Sequence, residues 1–493
     1  MPDVAWTIAG SDSGGGAGIQ ADLLTFHDFG LHGASVVTCV TAQNTTALAD
    51  NHVVPAPTVR AQLQALWGDL PPAAIKIGAL GSPDNASAVL DFLDALPNED
   101  RPFVVWDPVC HASVGGTLGV LPDDTIDAMV RRVDVVTPNA EELADTWRID
   151  PENPAQAAGS LRNRGAERVY VTGGHGETPG LDHWESPTRN FSVQGETLPN
   201  RGAHGGGCSL SSALAAATVC EDEDSAPVLA HMYVHQGLRA IARGVDSPGA
   251  GRPPLPHLGW PGDAEDLPRV VDAGRAVGPG FPPLSRPIGL YAVVGSADWV
   301  RRCVELRVDT VQLRVKDLPA PALRRAVAQS VAATEGSSTR LFVNDFWREA
   351  IDAGAYGVHL GQEDLTDADL PAIAASGIRL GVSTHSYYEI ARAHAVAPSY
   401  VAIGPIYATS TKPMKFAPQG VARLKRWVNL LKSRYPLAAI GGIDIERAPG
   451  VMATGVGSIA VVRAITEAPD PADAVTSLRA AMRAGHADVR LSQ

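Results

Sequence analysis

The chain has 493 residues, 45% of them hydrophobic and 19% charged, with a formal net charge of −14. That length suits two or three domains with sizeable cores, and that acidity excludes nucleic acid or an anionic membrane as the main partner. No apolar run nears the ~20 residues of a membrane helix, and five scattered cysteines without a C-x-x-C pair argue for the reducing cytoplasm rather than a disulfide framework or cysteine zinc site.

The opening "MPDVAWTIAGSD" reads as a buried strand entering a glycine loop, not as a signal peptide. Further strands are predicted at "ASVVTCVTA", "AIKIGAL", "FVVWDPV", "VDVVTP" and "RVYVTGG", mostly followed by helical segments. Such alternation predicts a largely parallel sheet covered by helices on both faces. The stretch "HWESPTRNFSVQG" departs from it and reads as a hairpin.

Two glycine loops stand out in this half. "AGSDSGGGAGIQADLLTF" places one between a strand and a helix, without the Gly-Lys-Ser/Thr of a Walker A. "GAHGGGCSLSSALAAA" runs three glycines into a helix with Cys208 at the junction. Backbone amides at a helix start favour an anion, most plausibly a phosphate. Asp22 and Gln43 have the donors and acceptors to read a heterocycle's edge, although a solvated helix face and a loop amide explain each equally well. Asn139 and Glu142, three apart at a helix start, equally fit an N-terminal cap.

From Pro248 to Pro287 ten prolines interrupt any periodic pattern, which predicts an extended connector with at most a short element at "LPRVVDAGRAV". The boundaries are a first domain over 1–260, a linker over 261–286 and a second domain over 287–485. After the linker come eight strand candidates: "IGLYAVV", "TVQLRV", "RLFVN", "YGVHL", "IRLGVS", "YVAIG", "LAAIGG" and "SIAVV". A helical segment follows each, the count and size of a (β/α)8 barrel.

Chemistry in such barrels sits at the C-terminal strand ends, where this chain concentrates its polar residues. Asp345 and Asp364 are hard oxygen ligands suited to Mg2+ shared with a substrate phosphate. Arg314, Lys316 and Lys412 supply cationic donors, Thr409 and Thr411 hydroxyls, and Gly441 with Gly442 room for a second phosphate. A magnesium-pyrophosphate leaving group and a phosphorylated co-substrate follow from these residues.

Together "QLRVK", "VNDF", "GVHLGQEDL", "GVSTH", "GPIYATSTK" and "AIGGI" resemble thiamine-phosphate synthase over about residues 287–485. The resemblance implies that a pyrimidine diphosphate loses pyrophosphate and that the thiazole nitrogen captures the methylene cation. It implies Mg2+ on Asp345 and Asp364, the diphosphate on Gln312, Arg314, Lys316, Asn344 and Lys412, Ser383 beside the reacting pyrophosphate, and Thr409, Thr411 and Gly441 at the thiazole phosphate. Thiazole tautomerases share the fold, but they generally lack the diphosphate and metal set kept here in "ND", "GQED" and "TSTK".

The first half, through its opening loop, "TAQNT", "DPV", "TPN" and the cysteine loop, resembles the hydroxymethylpyrimidine (phosphate) kinases of the ribokinase superfamily over about residues 3–245. A ribokinase-like α/β/α sandwich, ATP as co-substrate and Mg2+ are thereby implied. Asp22 and Gln43 would bind the pyrimidine, Asn139 and Glu142 would serve the ATP phosphates and Mg2+, and the amides from Gly205 through Gly207 to Cys208 would form an anion hole. Cys208 stands where sugar kinases carry an aspartate base. A helix N-terminus can lower a thiol by a unit or more, making it a base for a primary alcohol; an ionised phosphate acceptor needs no such base. The loop departs from the family pattern at Ala203 and Gly206, where threonines are usual. Thr172 replaces a common lysine and Ala79 a common methionine. These departures favour the monophosphate as acceptor. The expectation is a cytoplasmic bifunctional enzyme acting on small molecules, with self-association left open; the competing reading makes the first domain a non-catalytic pyrimidine-binding module.

Overall fold

The computed structural model describes every residue except 1, 98, 100, 174–179, 200–201, 247, 273–276, 279, 410–416 and 492–493. The described chain folds as two compact units, the first comprising Met1–Pro261, Glu265–Arg275 and Ser386–Ala391 and the second most of the remainder.

The first unit is built on ten strands: β1 (Val4–Asp12), β2 (His32–Gln43), β3 (Leu48–Val53), β4 (Ala74–Ile77), β5 (Phe103–Trp106), β6 (Val135–Val136), β7 (Val169–Val171), β8 (Leu181–Glu185), β9 (Asn190–Gln194) and β10 (Arg269–Asp272). They form one sheet in the order β10-β9-β8-β7-β6-β5-β4-β1-β2-β3. The middle is parallel, and antiparallel pairs close both edges: β2 with β3, and β7 through β10 in succession. The central strands are buried on both faces, hence the near-continuous apolar runs that the sequence shows. Trp6, Ile75, Val104, Val136 and Val169 pack into a core with Leu63, Val89, Met129 and Leu161 from flanking helices.

One strand escaped the sequence reading, and a second is the short element allowed at "LPRVVDAGRAV". β3, "LADNHV", is a largely exposed edge strand whose polar residues hide any alternation. β10 lies inside the segment expected to be linker, yet Arg269–Asp272 pairs in register with β9, so the first unit reclaims chain beyond residue 260. Part of the proline-rich stretch is also pinned: His204 N donates to Pro253 O (2.8 Å) and Leu255 N to His204 O (3.0 Å).

The second unit contains a closed parallel barrel of β11 (Tyr291–Val294), β12 (Thr310–Leu313), β13 (Arg340–Asn344), β14 (Gly357–Leu360), β15 (Arg379–Thr384), β16 (Tyr400–Ile403), β17 (Leu437–Ile440) and β18 (Ser458–Val461). All eight predicted strands are present, and β18 pairs back to β11. Tyr291, Phe342 and Tyr400 fill the lumen beside Ala402, Ala438 and Ala460, large side chains facing small ones. Arg340 seals the lower end, donating to the carbonyls of Arg286, Pro287 and Ile288 at 2.7–2.8 Å. Among the described residues no helix is long and apolar enough to cross a membrane.

Candidate active sites

The parallel strands of the first unit deliver their C-terminal ends to a cavity of about 820 Å3. Its floor is the glycine loop after β1. Asp12 organises that loop: its carboxylate accepts from the amides of Gly14 (2.8 Å), Gly16 (3.1 Å) and Ala17 (2.9 Å) and sits 2.8 Å from His204 Nε2. Burial alone would raise the Asp12 carboxyl, but His204 and these amides outweigh it and hold it below its ordinary value. His204 also meets the Gln43 amide at 3.1 Å and Ser113 Oγ at 2.5 Å, so one buried imidazole ties three loops together. Gln43 thus lines the cavity. His204 was missed because a histidine inside a glycine loop carries no spacing signal.

The helix Gly206–Cys220 starts at the cavity wall. Gly205 before it has φ +80°, and a Cβ there would lie 1.8 Å from Gly16 O, so only glycine lets the two loops meet. Gly206 and Gly207 have open space above their Cα atoms. Together with Cys208 they present helix-start amides to the cavity, the geometry of an anion site.

Asp22 corrects the sequence reading. It is wholly buried beneath the cavity rather than exposed to a ligand. Its carboxylate accepts from Thr7 Oγ1 (2.5 Å), Ser212 Oγ (2.6 Å) and Lys76 Nζ (2.9 and 3.0 Å). Lys76, also wholly buried, lies 4.0 Å from Asp107, whose other contact is Ser211 Oγ at 3.1 Å. Burial alone would lower the Lys76 ammonium, but Asp22, the Cys208 thiol and Asp107 outweigh it and hold it above its ordinary value. Lys76 escaped the sequence reading because it interrupts a strand that otherwise reads as apolar.

For Cys208 the sequence leaves two readings, a base or a compact loop residue, and its surroundings bear on the choice. Burial pushes its thiol up to about 12, against the lowering pull of Lys76 and with Asp107 and Asp22 adding to the rise. Burial, with the two carboxylates adding to it, thus opposes the lowering that a helix start gives a thiol. Asn139 and Glu142 form a reciprocal capping box, each side chain accepting from the other's amide at 2.9 Å, and both line the cavity. The capping reading is therefore correct, and it leaves Glu142 Oε1 available. Burial, then Asp107, raises the Glu142 carboxyl to about 8, while burial raises Asp107 to about 6 against Lys76. Buried acids that resist ionisation mark a place where a cation would be welcome.

In the barrel, Gln312 lies on β12 with Arg314 and Lys316 just beyond its end, Asn344 ends β13 with Asp345 next after it, Ser383 lies near the end of β15, and Gly441 follows β17. Asp345 is held in the left-handed region (φ +65°), and Asn344 Nδ2 donates to its Oδ2 at 2.5 Å. A non-glycine residue in that conformation is costly, and a fold keeps one where surrounding bonds fix it. Asp364 follows β14 in the short helix Gln362–Asp367, which Arg392 anchors through Gln362 O (2.8 Å) and Thr366 Oγ1 (2.7 Å). Ser383 Oγ is 2.8 Å from His359 Nε2, and burial lowers that imidazole to about 3. Thr409 is half-buried beyond β16, whereas Thr411 and Lys412 lie outside the described residues. Gly441 (φ +104°) and Gly442 (φ +65°) have a structural reason besides the phosphate one: a Cβ on either would strike the loop after β16, at Pro405 Cα or Ala408 O. Among the described residues no cluster of three or more His, Cys, Asp or Glu forms a ready metal cage, but Mg2+ held by two carboxylates and substrate phosphate needs none.

The sheet unit with its helix-start anion site and the barrel with its charged rim define a two-unit transferase that handles phosphorylated small molecules. Residues 12–250 match the family model for phosphomethylpyrimidine kinase and residues 290–465 that for thiamine monophosphate synthase. Thiamine-phosphate synthase of Neisseria meningitidis serogroup B is 56% identical over 200 residues, 41% of this chain and 97% of that protein. The enzyme of the same name from Pectobacterium atrosepticum is 52% identical over 198 residues, 40% of this chain and 93% of that protein. Among solved structures, phosphomethylpyrimidine kinase from Clostridium difficile 630 aligns at 28% identity with TM-score 0.40, covering 48% of this chain and 98% of that one. Thiamine phosphate pyrophosphorylase from Pyrococcus furiosus aligns at 26% identity with TM-score 0.37, covering 40% and 97%. The chain belongs to the thiamine-phosphate synthase family and joins that barrel to a phosphomethylpyrimidine kinase domain.

Proposed function

We propose that the two units catalyse consecutive steps: ATP-dependent phosphorylation of hydroxymethylpyrimidine phosphate to the diphosphate, then condensation with thiazole phosphate to give thiamine phosphate and pyrophosphate. The observation that carries this reading is the near-complete coverage of a 56% identical synthase, preceded in the same chain by the kinase match. The product of the first step is the substrate of the second. An ATP-consuming, pyrophosphate-releasing reaction sequence in an acidic chain is assigned to the cytoplasm.

In the kinase unit, Gln43 meets the pyrimidine and the amides of Gly206, Gly207 and Cys208 hold the transferring phosphoryl group. An oxygen of the acceptor monophosphate forms the new P–O bond as the bond from the γ-phosphorus to the bridging oxygen breaks, and ADP leaves with the electron pair. That acceptor is already ionised, so a protonated Cys208 suffices as a compact loop residue; positioning and charge stabilisation do the rest. Asp22 acts indirectly, by holding Lys76 under the anion site. Asn139 and Glu142 serve the ATP phosphates and their cation.

In the barrel, Gln312, Arg314, Lys316, Asn344 and Lys412 hold the pyrimidine diphosphate, while Thr409, Thr411 and Gly441 hold the thiazole phosphate. The methylene C–O bond breaks with its electrons going to pyrophosphate, and the thiazole nitrogen lone pair forms the new C–N bond. Arg314, Lys316, Lys412 and the Ser383 hydroxyl stabilise the charge that develops on the departing group. Asp345 and Asp364, hard oxygen donors, fit Mg2+, as do Glu142 and Asp107 in the kinase unit. When bound, Mg2+ neutralises phosphate charge and assists departure of the leaving group.

The test assigns one activity to each unit. With Asp345→Ala, pyrophosphate release from ready-made pyrimidine diphosphate and thiazole phosphate is lost, while ADP formation from the monophosphate continues. Undiminished pyrophosphate release in this variant refutes the barrel assignment, and absence of ADP formation in the wild type refutes the kinase assignment.

A further inference from the structure

Five buried or half-buried side chains from five strands, or from the residues at their ends, form one hydrogen-bonded chain through the barrel lumen. Gln312 Nε2 donates to Tyr291 OH at 3.0 Å, and Tyr291 OH lies 2.7 Å from Tyr400 OH. Tyr400 OH lies 2.7 Å from His359 Nδ1, and His359 Nε2 lies 2.8 Å from Ser383 Oγ. The chain therefore begins at one residue assigned to the pyrimidine diphosphate and ends at another.

Its direction follows from counting protons. With its amide nitrogen turned toward Tyr291, Gln312 is a donor there without choice, whereas the flipped amide would accept and turn every bond of the chain round. Tyr291 oxygen accepts there, so its own proton has Tyr400 as its partner; no other acceptor for it is present among the described residues. The Tyr400 proton then goes to His359 Nδ1, leaving the ring's proton on Nε2, where it is donated to Ser383 Oγ. The Ser383 proton is left to point outward, toward the barrel mouth. With the amide nitrogen so placed, in the opposite order Tyr291 would accept from both Gln312 and Tyr400, and its phenolic proton would have no acceptor among the described residues at 1% exposure. An imidazolium at His359 meets the same conflict, because both its nitrogens are donors. Buried polar groups are seldom left unsatisfied, so the first order prevails.

We propose that Tyr291, Tyr400 and His359 are positioning residues forming a proton-ordered relay from Gln312 to Ser383, which makes the Ser383 hydroxyl an obligate donor toward the pyrophosphate that departs. The proposal rests on the reading that Ser383 faces that group. A hydroxyl with no choice of role needs no reorganisation when charge develops, which is how an oriented donor lowers the barrier.

The relay is tested on the full chain labelled with 15N-histidine, using long-range proton–nitrogen correlation at pH 7 and assigning His359 by the peak lost in His359→Gln. The expected pattern is a neutral ring protonated at Nε2, with Nδ1 unprotonated. A ring protonated at Nδ1, or at both nitrogens, overturns the relay and leaves the Ser383 assignment standing. Kinetics supply the second arm. Tyr400→Phe should lower kcat for pyrophosphate release about tenfold with KM within about twofold, against the larger loss, on the order of a hundredfold, expected for Ser383→Ala. The double variant should be no slower than Ser383→Ala alone. Additive losses make Tyr400 a packing residue and refute its place in the relay. A wild-type rate for Ser383→Ala, with the ring protonated at Nε2, overturns the Ser383 assignment and with it the relay's part in catalysis.

Discussion

Replacing Lys76 by methionine keeps much of the side-chain volume while removing the one ammonium that faces Asp22 at 2.9 Å and Asp107 at 4.0 Å, all three groups being buried. Breaking a buried ion pair by removing one partner costs about 3–5 kcal/mol, because the other charge stays buried and uncompensated. For a unit of this size each kcal/mol moves the midpoint by roughly 2–4 °C, so a fall of about 6–20 °C is expected. The cost should depend on pH. Asp107 is already raised to about 6, so the folded state binds its proton more tightly than the unfolded one, and stability from this group falls as pH rises through that window. Without Lys76 the lowering pull on Asp107 is gone and the window extends higher, so the loss is greater at pH 7.5 than at pH 5. Scanning calorimetry of the full chain measures this, the kinase transition being identified as the one that ATP shifts upward. Adding Asp22→Asn should recover part of the loss. An unchanged midpoint, or an equal loss at both pH values, refutes the reasoning.

Three further outcomes follow from the same geometry. Cys208→Ser should keep ADP formation from the monophosphate within about tenfold of wild type, since a thiol held protonated is no base; a loss beyond about a thousandfold would restore it to that role. Asn139→Ala should cost the kinase unit about 1 kcal/mol by removing half of the capping box, and should raise the KM for ATP, both readable by calorimetry and initial rates. His204→Ala should raise the KM for the pyrimidine monophosphate by an order of magnitude or more, because Asp12 and Gln43 lose the ring that fixes their loops, a loss comparable to that of a buried charged hydrogen bond.

The barrel was legible because eight short apolar runs alternate with helical segments, and six of those runs end in a chemically distinctive cluster. The lumen chain was not legible. Tyr291 and Tyr400 look like ordinary core aromatics in sequence, and only closure of the sheet brings their hydroxyls to 2.7 Å. In the first unit the parallel strands were equally plain, whereas β3 was hidden by its exposed polar edge, and β10 showed only as a short element whose pairing with the first unit its proline-rich surroundings concealed. Glycine loops announced an anion site but not how it is held. Asp22 sits four residues past the loop's last glycine, on a helix whose inward face a sequence cannot show, so a residue expected against the ligand proved to be a buried partner of Lys76. The thiol's environment was hidden for a related reason: the helix start is visible in sequence, but its burial and the carboxylates of residues 107 and 22 meet Cys208 only in the folded unit.

The central claim is that one chain converts the pyrimidine monophosphate to thiamine phosphate. The most direct measurement incubates the full chain with ATP, Mg2+, thiazole phosphate and hydroxymethylpyrimidine phosphate, and quantifies thiamine phosphate, ADP and pyrophosphate together. The account predicts all three in equal amounts. Thiamine phosphate appearing only when ready-made pyrimidine diphosphate is supplied, with no ADP from the monophosphate, would contradict it.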